Sequence, residues 1–187
     1  MILCLDLSFR PDSLCLAEFV DPIAGIVRKT GVEVDIRHYM EMEPNSPPDA
    51  DAVILCGTAL KDTGYLNRLD RFCWLYAAYV PILGICAGMQ VISMVYGGKT
   101  ESKCEIGTTD LDVIQSDQLF SGKKRFQAYE LHTLACTVPP DFRTLAVSDL
   151  CVQAIRHRDK SIYGVIFHPE VRNEWVVERF VKMVKKE

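Results

Sequence analysis

No run of apolar residues in this 187-residue sequence is long enough to span a bilayer. None of its eight cysteines, at positions 4, 15, 56, 73, 86, 104, 136 and 151, pairs with another in the C-x-x-C arrangement that marks a zinc or redox centre. Repeats and low-complexity tracts are also missing, and the charges, which sum to -4, are interspersed rather than clustered. That pattern argues against a nucleic-acid groove and against a membrane-binding face. The start, MILCLDLS, carries neither a basic n-region nor a cleavage site, and Cys4 and Cys56 sit in apolar strand-like runs. Free thiols in a reducing cytoplasm are therefore expected, with no metal and no cofactor. The one basic cluster, Lys182, Lys185 and Lys186, falls at the end of a predicted helix, where cations complement the dipole.

What is present reads as one domain, residues 1–187, long enough for a sizeable core. Met1 to Leu7 is a predicted buried strand, Ser8 to Asp12 a polar turn, and Ser13 to Thr30 a helix that Pro22 must kink or restart and Gly31 must end. Val32 to Tyr39 alternates apolar and charged residues, as a strand near a sheet edge does. The prolines at 44, 47 and 48 predict a loop, Ala52 to Cys56 a fully apolar strand, and Asn67 to Tyr79 a helix with Leu69, Phe72, Cys73 and Tyr76 inward. Beyond Gly98 the segments Thr109 to Ile114, Arg125 to Tyr129 and Thr144 to Val147 predict short, partly antiparallel strands. Ser161 to Phe167 is one more buried strand, and Asn173 to Lys186 an amphipathic helix. The fold class is α/β: a mostly parallel central sheet with helices on both faces.

The chain is organised around Val80 to Gly98, VPILGICAGMQVISMVYGG. A short apolar strand turns through Gly84-Ile85-Cys86-Ala87-Gly88 into a helical pattern. A side chain at such an apex is held clear of its neighbours, the flanking glycines let the chain bend and a substrate approach, and a helix N-terminus favours thiolate over thiol. Most cysteines are small core fillers, but this placement reads as a nucleophile on an elbow.

A thiolate nucleophile needs a base and a group to orient it. Of four histidines, His38 and His157 are expected to be exposed and His132 lies in a polar connection. His168 follows a buried strand at the end where open α/β sheets place their sites. Pro169 keeps it extended, so Glu170, two residues on, points the same way and can orient the imidazole. Ala87, the residue after the nucleophile, supplies one oxyanion N–H by the geometry of an elbow. Gly57, at the end of the neighbouring strand, is either the second donor or a simple turn glycine. Such donors are worth about 3 to 4 kcal/mol each.

Gly-Ile-Cys-Ala-Gly-Met-Gln at 84 to 90, followed by Gly-Val-Ile-Phe-His-Pro-Glu at 164 to 170, resembles the class I glutamine amidotransferase (triad glutaminase) family, with its flavodoxin-like three-layer fold. The resemblance implies that Cys86 attacks the side-chain amide of L-glutamine, His168 passes a proton to the leaving ammonia and Glu170 orients His168. Glutamate and ammonia form through a γ-glutamyl thioester, with Ala87 and Gly57 as oxyanion donors. Gln90 matches the family glutamine that contacts substrate. His132-Thr133-Leu134-Ala135 resembles a His-Ser-Leu-Ala segment whose backbone holds the substrate's amino-acid end, so Thr133 and Leu134 take those positions. Glu105-Ile106-Gly107 resembles a segment bordering the family site.

The sequence departs from the family at Cys56-Gly57-Thr58, where Gly-Gly-Pro is usual, and at its start, Asp6-Leu7-Ser8-Phe9. Without proline at 58 the oxyanion loop is expected to be more mobile. The implied partner is a separate synthase subunit that accepts ammonia, GMP synthetase first and anthranilate synthase second. A stand-alone γ-glutamyl peptide hydrolase and a non-catalytic regulatory module on the same fold are the alternatives.

Overall fold

In a computed structural model of the chain, residues 1–185 are described. Five strands run parallel: β1 (Ile2–Asp6), β2 (Val34–His38), β3 (Ala52–Leu55), β4 (Ile82–Ile85) and, from the far end of the chain, β9 (Ile162–Val165). Four more, β5 (Thr100–Val113), β6 (Arg125–Cys136), β7 (Phe142–Val147) and β8 (Val152–His157), continue the sheet antiparallel. The order across the nine-stranded sheet is β2-β1-β3-β4-β9-β8-β7-β5-β6. As expected, β2 is an edge strand.

Both faces are covered, and the strand period of two decides which residue serves which face. Ile2, Cys4, Ala52 and Ile54 pack on one side against α1 (Asp21–Lys29) and α3 (Trp175–Val184). Leu3, Leu5, Val53 and Leu55 pack on the other against α2 (Ala87–Val95) and the helical run Gly64–Tyr76. Pro22 restarts the helix as expected: a π-helical turn, Leu16–Val20, precedes α1, which has proline in its first turn. At the other end of α1, Gly31 takes φ +77°. Lys185 donates to the Thr30 carbonyl there, while Lys182 lies in the last turn of α3; Lys186 lies outside the described residues.

Two expectations are corrected. The run Gly64–Tyr76 is a 3₁₀ helix broken at Arg68, not an α-helix. At three residues per turn it buries Phe72 and Leu75, with Tyr65 and Trp74, and leaves Cys73 and Tyr76 exposed. Beyond Gly98 the strands are not all short: β5 and β6 form a long hairpin of 14 and 12 residues. Its alternation is masked because polar residues occupy inward positions. Among the described residues no helix is long and apolar enough to cross a membrane.

Candidate active site

Parallel register gathers the site. Leu55 lies beside Gly84, and Gly84 beside Gly164, so the chain leaving β3, β4 and β9 delivers Gly57, Cys86 and His168 to one end of the sheet. Cys86 is the residue between β4 and α2, at φ 48° and ψ −103°. An L-residue there carries strain of about 1–3 kcal/mol. It is held in place by Cys86 N–H donating to the Val165 carbonyl at 2.8 Å and by the Cys86 carbonyl accepting from Gln90 N–H at 3.1 Å.

The glycines of the elbow serve packing. A Cβ on Gly84 would lie 2.5 Å from the Gly88 backbone, and one on Gly88 2.3 Å from the Leu55 carbonyl oxygen. They let α2 sit directly on β3 and β4, a different task from the substrate approach expected of them. The glycine that does leave room at the reacting groups is Gly57, where a Cβ would come 2.9 Å from His168 Cε1 and 3.6 Å from Cys86 Cβ.

His168 is fully buried. Its Nδ1 lies 2.6 Å from Glu170 Oε1, its ring packs against Phe19, and its backbone N–H donates to the Tyr129 carbonyl. Burial alone would pull the imidazole pKa down; the Cys86 thiolate, chiefly through its charge, and the Glu170 carboxylate overcome this and raise it well above 6.5. Its Nε2 has no close hydrogen-bond partner among the described residues. The arrangement sets the Cys86 sulfur beside an imidazole whose far nitrogen is anchored on a carboxylate, which is the equipment for attack on an amide and protonation of its nitrogen.

A family model described as "Glutamine amidotransferase class-I" matches residues 15–181. The chain belongs to the class I glutamine amidotransferase family. It is thus an enzyme that hydrolyses the side-chain amide of glutamine and hands the ammonia on. A subunit of the glutamine-hydrolysing GMP synthase from Pyrococcus abyssi is 32% identical over 187 residues, covering 89% of this chain and 93% of that protein. The corresponding subunit from Pyrococcus furiosus is 36% identical over 168 residues, covering 82% of this chain and 85% of that protein. The crystal structure of a Thermoplasma acidophilum protein assigned as a GMP synthase subunit has the same fold, with a TM-score of 0.82 at 24% identity over 99% of this chain and 94% of that one.

The other residues that the sequence singles out fall around this amidotransferase centre. Ala87 opens α2 directly after Cys86. Gln90 is buried, and both ends of its amide are engaged: Oε1 accepts from the Tyr65 hydroxyl at 2.5 Å and Nε2 donates to the Leu134 carbonyl at 2.8 Å. Thr133 and Leu134 line the same pocket as Cys86, Gln90, Thr58 and Tyr65. The loop at 58 is tied where proline is missing: the Thr58 hydroxyl donates to the Asp62 carbonyl at 3.0 Å. The space left in the pocket is about 20 Å³, room for little more than one water.

Three expectations about histidine are overturned. His38 is buried, with Nε2 2.7 Å from the Ser8 carbonyl oxygen. His157 is also buried, accepts from the Asp159 and Lys160 N–H groups at Nδ1, and packs edge-on against Tyr96 and Phe142. Each serves the fold as a turn-capping ring. His132 lies within β6 rather than in a connection, and its neighbour Leu131 turns its carbonyl toward Cys86 Sγ at 3.9 Å. Of the remaining thiols, Cys136 is pushed up to about 12 by burial, as suits a core filler.

Sequence reasoning missed Tyr65, which stood outside the predicted helix. It also missed Glu130, a fully buried carboxyl raised above its ordinary range chiefly by burial and kept from rising further by His132. The signal for Glu130 was its spacing: Ala128, Glu130 and His132 are the buried alternate positions of β6.

Proposed function

We propose that the chain is the glutaminase subunit of a two-subunit GMP synthase, acting in the cytoplasm and delivering ammonia to a separate synthase subunit. The observation that carries the catalytic part is the buried His168–Glu170 pair set beside Cys86 on its strained elbow. The choice of synthase is supported by the names of the relatives that match most of the chain.

Cys86 thiolate attacks the side-chain amide carbon of glutamine, forming the S–C bond and pushing the carbonyl electrons onto oxygen. The Gly57 and Ala87 N–H groups receive that oxyanion, in the role such donors play in acyl transfer. As the C–N bond breaks, His168 gives its proton to nitrogen, so ammonia leaves and a γ-glutamyl thioester remains. The neutral imidazole then takes a proton from water, whose oxygen displaces Cys86, yielding glutamate and restoring the ion pair. Glu170 stays ionised and holds the ring tautomer throughout. Gln90, Thr133 and Leu134 hold the substrate.

A glutamine-analogue electrophile should label Cys86 stoichiometrically, and Cys86→Ser should abolish the label. With the synthase subunit present, glutamine should support amination of the acceptor nucleotide. A chain left unlabelled with and without that subunit refutes the catalytic assignment. Labelling without any transfer to the nucleotide refutes the choice of synthase.

A further inference from the structure

Behind the strand that carries Leu131, three ligand-bearing side chains from three segments bring their ligand atoms within 4.8 Å of one another: Glu105 on β5, His132 on β6 and Cys151 just before β8; Glu130 on β6 lies next to His132. His132 and Glu130 are fully buried at the side chain, at 1% and 0% exposure, and Glu105 nearly so at 9%. His132 Nε2 lies 3.4 Å from Glu105 Oε2 and 3.4 Å from Glu130 Oε2, and Cys151 Sγ lies 3.1 Å from Glu105 Oε2.

The chemistry of these groups is one-sided. His132 Nδ1 faces the Lys103 carbonyl at 3.2 Å, and a carbonyl only accepts, so Nδ1 carries the proton and Nε2 presents its lone pair. That lone pair looks at two carboxylates. Among the described residues, Nε2 and both oxygens of Glu130 have no hydrogen-bond partner. Gln153 at 2.7 Å and the Cys151 thiol at 3.1 Å both donate to Glu105 Oε2 and orient that carboxylate, while Glu130 and His132 Nε2 receive no such donor among the described residues. A proton held on Glu130, which burial favours, would satisfy one of these contacts, whereas a metal ion would satisfy the facing nitrogen, sulfur and oxygen atoms together.

We propose that Glu105, Glu130, His132 and Cys151 form a binding site for a divalent d-block cation of the zinc class. Zinc bonds of about 2.0–2.3 Å in a tetrahedron set its ligand atoms about 3.3–3.5 Å apart, against 3.4 Å for His132–Glu105, 3.4 Å for His132–Glu130 and 3.1 Å for Cys151–Glu105, so that binding has chiefly to draw the Glu130 carboxylate inward. One sulfur, one nitrogen and two carboxylate oxygens suit zinc, and the carbonyl on the far ring nitrogen is the support a metal-bound histidine ordinarily has. Four protein ligands close the coordination shell, so the site holds structure rather than activating water. It ties the turn before β8 to the β5–β6 hairpin. In doing so it fixes the strand whose Leu131 carbonyl faces Cys86.

The test is titration of the full, chelator-treated chain with Co²⁺, read by visible absorption and by the near-ultraviolet thiolate-to-cobalt band. One equivalent should bind at micromolar protein with tetrahedral bands and should be displaced by Zn²⁺. Cys86→Ala should keep the signal, and Cys151→Ala should lose the thiolate band. If Cys151→Ala does not fold, Glu130→Gln carries the test: the thiolate band persists while affinity falls at least about tenfold, since even outer-shell partners are worth 10–100-fold. Absence of stoichiometric binding overturns the proposal, as does a signal lost in Cys86→Ala and retained in Cys151→Ala. Undiminished affinity in Glu130→Gln overturns the four-ligand set.

Discussion

Glu170→Gln isolates the carboxylate's charge with little change of shape. In the native protein Glu170 Oε1 sits 2.6 Å from His168 Nδ1, with side chains 2% and 1% exposed, so solvent screens the pair little. With charge centres about 4 Å apart and an effective dielectric of about 20, carboxylate and imidazolium attract by about 4 kcal/mol. The neutral amide keeps a dipole and part of this, so the expected loss in kcat is about 10²- to 10³-fold, at 1.36 kcal/mol per decade. KM should hardly move, because the carboxylate acts on the ring and not on bound glutamine. Glutamate release under steady state, with the synthase subunit present, is the assay. A raised KM with kcat intact, or a kcat loss under about threefold, refutes the role given to Glu170.

The same substitution has a pH signature in stability. His168 has a folded-state pKa above its ordinary 6.5, so its contribution is fully present below 6.5 and is lost as pH rises through the raised value. Removing the carboxylate removes one cause of the raise. The melting temperatures of native protein and Glu170→Gln should therefore differ most below 6.5 and converge as pH climbs; a gap that widens with pH reverses the sign and rejects the ion pair.

At Cys86 the usual ranking of alanine over glycine should weaken or reverse. Strain of about 1–3 kcal/mol at φ 48° is relieved only by glycine, against its ordinary cost of about 0.5–1 kcal/mol. Cys86→Gly should thus melt at or above Cys86→Ala, by about 2–4 °C per kcal/mol, and a clearly more stable alanine variant would remove the strain argument. Gly88→Ala should cost more than about 3 kcal/mol, because its Cβ meets the Leu55 backbone, whereas Gly25→Ala in α1, with nothing within 4 Å, should gain about 0.5–1 kcal/mol. Chemical denaturation compares the two. Tyr65→Phe deletes the Tyr65–Gln90 hydrogen bond, worth about 0.5–1.5 kcal/mol, and, with Gln90 holding glutamine as proposed, should lower the KM for glutamine about two- to tenfold; an increase would mean that Tyr65 helps to bind glutamine.

The sequence by itself determined whatever depends on local geometry. Four apolar runs and one alternating stretch became the parallel strands, the strand-to-helix switch around Cys86 became the elbow, and Pro169 with the i, i+2 spacing put Glu170 beside His168. Those features follow from backbone sterics and side-chain alternation within a few residues. Tertiary structure decided the rest, because it rests on contacts between segments far apart in the chain. Only packing shows that Gly84 and Gly88 seat α2 on β3, or that the Gly64–Tyr76 run winds three residues per turn and aims Tyr65 at Gln90. Only the β5–β6 hairpin pairing and the approach of Cys151 bring Glu105, which the sequence placed near the site, and His132, which it placed in a connection, into one buried cluster beside Glu130. Burial and pairing across 20 to 50 residues set the charge balance there, and no local pattern encodes them.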